Sequence, residues 1–337
     1  MRRTTAALVG AAALLASVPA VLAGASSNAS TTPVSVIMDW VPNPDHVGLY
    51  YAQQKGYFDK QGVSVSLKAP SDASTPLKLV GAGKFDLAIS YEPEFFTAVE
   101  KKLPVMGVAS IIPVPLNALI SLSDSGITSP AGLKGKSIGI AGVPFDSAVI
   151  STMVRAGKLN ANEVKSVNVG FNLVPSLLSH KVNAIVGGYQ NVEALQIGQE
   201  TGKKPNVLPL NKVGIPTYNE LVLAANSSRL KSDPAYAATV RKVVAGIVAG
   251  TRAAMRDPKG STAIMEKVSD YKKDLVDASV PYTLKLIRQG GPKVGCMSFA
   301  QWRAFGAWMT RTKLLSGPVP ASTVTTNKYL PKGSQAC

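Results

Sequence analysis

Short apolar runs rich in β-branched residues alternate with stretches of helical spacing through the first two thirds of the chain. Residues 34–38, 63–67, 87–90, 105–109 and 118–122 read as strands, with helices over 76–82 and 95–102 between them. The polar run Ser123-Asp124-Ser125-Gly126 then interrupts the rhythm. It resumes with strands at 137–141, 165–169, 184–186 and 207–209 and helices at 146–156, 175–179 and 192–200. One more strand, 220–225, follows, and beyond Asn226 the pattern turns helical over 234–255 and 299–315. Such a βαβ rhythm implies mostly parallel sheets. The strand at 220–225 comes after a natural return connection at 212–217, so it is expected to rejoin the first sheet. The predicted organisation is an α/β chain of two lobes, residues 26–123 with 218–337 and residues 124–217, joined by two crossovers. In the last helix Trp302, Phe305 and Trp308 recur at every third position, which marks a core stripe rather than a site.

The first strand ends abruptly. Asp39-Trp40-Val41-Pro42-Asn43-Pro44-Asp45 breaks it with two prolines and four Asn/Asp/Trp side chains, and helical spacing begins again at His46. A loop that leaves a strand and feeds a helix sits at the carboxyl edge of a sheet, where open α/β folds bind ligands. Trp40 is then either an aromatic at a ligand-facing mouth or a lid on the core. Tyr91 ends another strand on the same edge, so the two rings could hold a flat heterocycle. Asn117, near the first crossover, offers an amide donor and an amide acceptor. In the second lobe Gly187-Gly188 closes a strand and lets backbone approach closely, and Tyr189, Asn191 and Glu193 follow at a helix start. Glu193 can accept from an exocyclic amine and from an adjacent protonated ring nitrogen, a two-point charge-assisted contact. Its bland alternative is a helix cap. Tyr189 could equally pack beneath the hinge, and His46 is expected to fix the proline-rich turn. Gly142-Val143-Pro144-Phe145-Asp146 opens a helix whose first N–H groups could meet a polar ligand group.

Residues 1–25 join Arg2 and Arg3 to an apolar run over 6–22 and the small-residue triplet Ala23-Gly24-Ala25, which predicts a cleaved secretory signal peptide. A retained anchor is the weaker reading, because the run is alanine-rich and broken by Pro19. No cysteine lies near the cleavage point to carry a lipid, so the mature chain is expected to be free in the periplasm. Arg2-Arg3 leaves a twin-arginine route open beside the general one. About 310 residues then remain, enough for two lobes. Lys and Arg number 36 against 20 Asp and Glu, a formal charge of +16. The lysines are scattered, with no basic run interleaved with aromatics, so a solvated surface is expected and no nucleic-acid partner. Cys296 and Cys337 are expected to bridge in an oxidising compartment, two free thiols being the alternative. Two cysteines and two histidines without ligand spacing predict no metal site and no cofactor.

Several of these stretches also carry a family likeness. Asp39-Trp40-x-Pro42-Asn43-x-x-His46-x-Gly48-Leu49-Tyr50-x-Ala52 with Lys55-Gly56-Tyr57-Phe58 resembles the opening signature of ABC-importer solute receptors of the NMT1/THI5-like group, which bind thiamine-pyrimidine precursors such as formylaminopyrimidine. The likeness continues through 85–93, 142–146, 168–175 and 187–193. It implies a type II periplasmic-binding-protein fold, a monomeric receptor rather than an enzyme, and partners in a membrane permease and its ATPase. It also implies an aminopyrimidine held by Asp39, Trp40, Tyr91, Asn117, Tyr189 and Glu193. Gln190 stands where relatives often carry tryptophan, which would make one wall more polar. Other ligands for the same role are a riboflavin-like heterocycle, an alkanesulfonate or nitrate, although Asp39 and Glu193 would repel an anion. The fungal pyrimidine synthases share this fold, but their cofactor-holding lysine would fall at Ser90, their sacrificed histidine at Glu94, and their cysteine-rich stretch near Val213–Leu221, where this chain has no cysteine.

Overall fold

The computed structural model describes residues 1, 31–291, 293–335 and 337, so the expected signal segment lies outside the described residues. The strands are β1 (Thr32–Ile37), β2 (Val63–Lys68), β3 (Leu87–Ser90), β4 (Val105–Ile112), β5 (Asn117–Ser121), β6 (Lys136–Ile140), β7 (Val164–Asn168), β8 (Ala184–Tyr189), β9 (Asn206–Pro209) and β10 (Leu221–Asn226). The helices are α1 (Val47–Gln54), α2 (Pro76–Gly81), α3 (Glu92–Glu100), α4 (Phe145–Ala156), α5 (Leu173–Leu178), α6 (Glu193–Thr201), α7 (Ser227–Ser232), α8 (Pro234–Arg256), α9 (Pro258–Val268), α10 (Lys273–Gln289), α11 (Phe299–Arg311) and α12 (Ala321–Val324).

The strands form two sheets with matching orders, β2-β1-β3-β10-β4 and β7-β6-β8-β5-β9. In the first, β1 runs parallel to β2 and β3, while β10 runs antiparallel to β3 and β4. In the second, β6 is parallel to β7 and β8, and β5 is antiparallel to β8 and β9. Each sheet thus has one reversed strand, and in each case it is the one that has just crossed over from the other sheet. The expected return of 220–225 to the first sheet is what β10 does. The outgoing crossover differs from expectation. It lies at residues 113–116, not at Ser123–Gly126, because β5 pairs with β8 and β9. An apolar pattern of period two reports burial, and β5 is buried in either sheet.

The central strands β3, β10, β5 and β8 are covered on both faces, which is why they are almost continuously apolar, whereas the edge strand β2 alternates buried and exposed positions. Along β10, Leu221, Leu223 and Ala225 face one core with α1, α8 and α10, while Val222 and Ala224 face a second with α3 and α11. That second core also takes Leu119, Ile138, Ala184 and Val186 of the other sheet and Phe145 of α4. Ala118, Ile120 and Ile185 turn the opposite way, onto α5 and α6. Trp302 and Phe305 are fully buried, Trp302 against Phe95 and Phe96 and Phe305 against Phe96, Phe145 and Tyr218, as the three-residue spacing predicted. The Cys296–Cys337 disulfide is present and spans 41 positions. Beside it, Asn327 donates to the Met297 carbonyl at 2.9 Å and accepts the Met297 N–H at 3.1 Å, seating the tail on the body. Among the described residues no helix is long and apolar enough to cross a membrane.

Candidate functional site

The loop after β1 is built by its own side chains. Asn43 Oδ1 accepts the Asp45 N–H at 2.8 Å, and the Asn43 N–H donates to His46 Nδ1 at 3.3 Å. The proton of His46 is therefore on Nε2, which donates to Asp39 Oδ1 at 2.9 Å. The other oxygen of Asp39 accepts the Tyr91 hydroxyl from the end of β3 at 3.1 Å. His46 thus fixes the turn, and through it fixes Asp39 and the neighbouring Trp40.

Asp39, Trp40, Tyr91, Asn117, Tyr189 and Glu193 converge on one cavity, joined there by Asn43, Ala141, Val143, Phe145, Asp146, Gly187 and Glu220. The space between them is about 510 Å³, counting what is open to solvent at the mouth. Trp40 meets Phe171, from the turn after β7, edge to face at 4.3 Å between ring centres. Asn117 Oδ1 accepts the Gly187 N–H at 2.9 Å, where β8 takes a left-handed φ of +92° that suits glycine. Its Nδ2 has no hydrogen-bond partner among the described residues. Glu193 Oε2 accepts the Tyr189 N–H at 2.7 Å and so closes the turn into α6. This bond goes to the end of β8 and not to an N–H of α6, so Glu193 tethers the strand end while its side chain lines the cavity.

Asn191 departs from expectation. It is fully buried outside the cavity lining, donating to Asp45 Oδ1 at 2.6 Å and to Thr283 of α10 at 2.7 Å. Ser279 Oγ of α10 also donates to its carbonyl. Asp45 and Thr283 draw Asn191 onto the α10 side, while Tyr189 and Glu193 reach the cavity. Gln190 makes no wall either: its amide donates to Pro115 O at 3.2 Å and accepts the Tyr282 hydroxyl at 3.3 Å. The N–H groups at the start of α4 are also taken. Gly142 and Val143 donate to Asp146 Oδ2 at 2.8 and 3.0 Å, and Phe145 donates to Glu94 Oε1 at 2.8 Å. What this turn offers a ligand is the Asp146 carboxyl rather than backbone donors.

Two acids of the cavity were missed from the sequence, Asp146 and Glu220. Glu220 looked like the first residue of a strand, and nothing local marks it. Burial is the main force on all these carboxyls. It pushes Glu193 and Glu220 from 4.5 to about 7, and Asp146 from 3.8 to about 7, against backbone hydrogen bonds that pull each down. Glu94 rises to about 7 and Glu92 to about 8 for the same reason. The folded chain therefore holds protons between about pH 4 and 8 that the unfolded chain releases, so its stability falls as pH rises through that window. The carboxylates held low, Asp72, Glu163, Asp257 and Asp277, are at the surface and screened, and contribute little of the opposite sign. The ligand-free melting temperature is expected to drop by several degrees from pH 5 to pH 8. A melting temperature that climbs across this range would contradict the burial of these acids.

Two mixed sheets, two crossovers and a cavity at the carboxyl edge define a fold of the periplasmic-binding-protein type. A solved example, the alkanesulfonate-binding protein SsuA from Xanthomonas axonopodis pv. citri bound to MOPS, superposes with a TM-score of 0.66 over 88% of this chain and 98% of that one, at 14% identity. At that identity the likeness is one of fold. The profile of the NMT1/THI5-like family matches residues 43–261, and the chain belongs to that family. The formylaminopyrimidine-binding protein of Halalkalibacterium halodurans is 36% identical over 204 residues, 60% of this chain and 62% of that protein, so the match spans less than two thirds of the relative. The 4-amino-5-hydroxymethyl-2-methylpyrimidine phosphate synthase of Uromyces fabae is 27% identical over 249 residues, 71% of this chain and 72% of that one.

Proposed function

We propose that this chain is the exported receptor of an ABC importer and that it captures an aminopyrimidine of the thiamine-precursor type, with a formylamino or hydroxymethyl arm. One observation carries the reading: among the described residues the cavity is lined by Asp39, Asp146, Glu193 and Glu220 and by four aromatic rings, with no lysine or arginine, in a chain whose formal charge is +16. A sulfonate or nitrate would meet carboxyls and no cation there. An aminopyrimidine offers its amine and ring N–H to a carboxylate and its faces to Trp40, Tyr91 and Tyr189. The name of the Halalkalibacterium relative supports the same ligand class.

The two sheets would be the two lobes, residues 31–112 with 221–337 and residues 117–209. The Trp40–Phe171 and Glu94–Phe145 contacts join them across the cavity, so a ligand held between them would shift an open–closed equilibrium toward the form a permease and its ATPase recognise. A binding role fits better than synthesis. At the positions aligned with the synthases' lysine and histidine stand Ser90 and Glu94, and Glu94 is occupied with the Phe145 N–H.

Intrinsic fluorescence tests this directly. Of the three tryptophans, Trp302 and Trp308 are buried in the core and Trp40 lines the cavity. Titration with 4-amino-5-hydroxymethyl-2-methylpyrimidine is expected to give a saturable change that Trp40→Phe abolishes, while an alkanesulfonate leaves emission unchanged. Saturation by the sulfonate with no response to the pyrimidine overturns the reading.

A further inference from the structure

Glu220 sits where the two crossovers meet. Its Oε2 accepts three hydrogen bonds, from the Leu116 N–H at 2.6 Å, the Asn117 N–H at 3.0 Å and the Tyr218 hydroxyl at 3.0 Å. Leu116 and Asn117 belong to the outgoing connection and its strand, and Tyr218 to the return connection. A single carboxylate oxygen therefore straps the hinge. The other oxygen, Oε1, has no partner among the described residues, yet Glu220 lines the cavity and is not among the side chains with a sealed, unpaired atom. The same holds for Asn117 Nδ2, whose Oδ1 and backbone N–H are both in use.

An acceptor and a donor thus stand on adjoining residues at the hinge end of the cavity. Glu193 rises from a different element, α6, and its carboxylate is held by the Tyr189 N–H at the end of β8, not by the hinge groups that hold Glu220. Asp39 is close enough to raise Glu220. Two separate acceptors call for two separate donor groups on the ligand. The group facing Glu220 and Asn117 must both donate and accept, which a hydroxyl does, and which a formamide does through its N–H and C=O.

We propose that Glu220 and Asn117 form the subsite that reads the arm of the ligand, an O–H or N–H-bearing substituent, while Glu193 reads the ring amine. The inference rests on the aminopyrimidine reading and deepens it. Because the same carboxylate straps both crossovers, an arm bound at Oε1 bears directly on the hinge, and a ligand lacking it forgoes that contact.

Calorimetric titration with a matched pair tests it: 4-amino-5-hydroxymethyl-2-methylpyrimidine and the analogue with methyl in place of hydroxymethyl. The wild type is expected to prefer the hydroxymethyl compound by about tenfold or more, because a buried site built for a hydroxyl is left unpaired by the analogue. In Glu220→Gln the amide oxygen can still accept from Leu116, Asn117 and Tyr218, but the cavity-facing atom becomes a donor. The preference should fall to within about twofold, whereas Glu193→Gln should weaken both compounds and keep the ratio. Asn117→Ala retains the backbone bond to Glu220 and should also lose preference, which covers the case of a Glu220 variant that melts early. Retention of the wild-type ratio in both the Glu220 and Asn117 variants overturns the subsite. Binding of neither compound by the wild type overturns the aminopyrimidine reading itself, and this inference with it.

Discussion

Glu193→Gln is expected to weaken aminopyrimidine binding by about 1.5–3 kcal/mol, roughly 10- to 150-fold in Kd, the range for a hydrogen bond to a charged group. The substitution is nearly isosteric, and the amide oxygen can keep the Tyr189 N–H that Glu193 Oε2 now accepts at 2.7 Å. What changes is the atom left for the cavity, an acceptor replaced by an NH₂ that opposes the ligand's own amine. The loss should therefore appear in Kd by calorimetry and not in melting temperature. An unaltered Kd would assign Glu193 to tethering the end of β8 alone. Since burial lifts this carboxyl to about 7, a ligand that brings its own proton finds the acid half ready to receive it near neutral pH.

Removing the Cys296–Cys337 bridge, by Cys296→Ser with Cys337→Ser, should cost about 4 kcal/mol of stability in the chain-entropy account of a loop this long. The bridge closes 41 positions and holds the tail that Asn327 seats on Met297. Neither cysteine lines the cavity, so affinity for the ligand should be preserved while the urea midpoint falls. A midpoint unmoved by the double substitution would mean that the Asn327 contacts alone hold the tail in place.

The two effects separate the molecule into a binding centre and a scaffold, and they were not equally readable. The strands and the aromatic stripe of α11 were legible because each depends on local spacing: a period of two or three reports which positions must leave water. The turn after β1 was legible too, because prolines, Asn43 and His46 act on backbone only a few residues away. The sheet to which β5 belongs was not legible, since its buried apolar face is equally satisfied beside either set of neighbours. The N–H groups at the start of α4 looked available until the fold brought Glu94 to one of them and curled Asp146 back onto two others.

By itself the sequence determined the α/β class, the return of β10 to the first sheet, the family, and six side chains that share a cavity. Only the tertiary structure decided that Asn191 turns away to Asp45 and α10, that Asp146 and Glu220 add acids to the pocket, and that the crossovers meet on Glu220. The physical reason is one of range. Hydrophobic periodicity and turn chemistry act over a few residues, whereas the direction of a buried polar side chain is set by whichever donor must be satisfied. For Glu220 those donors include backbone groups 103 and 104 positions away.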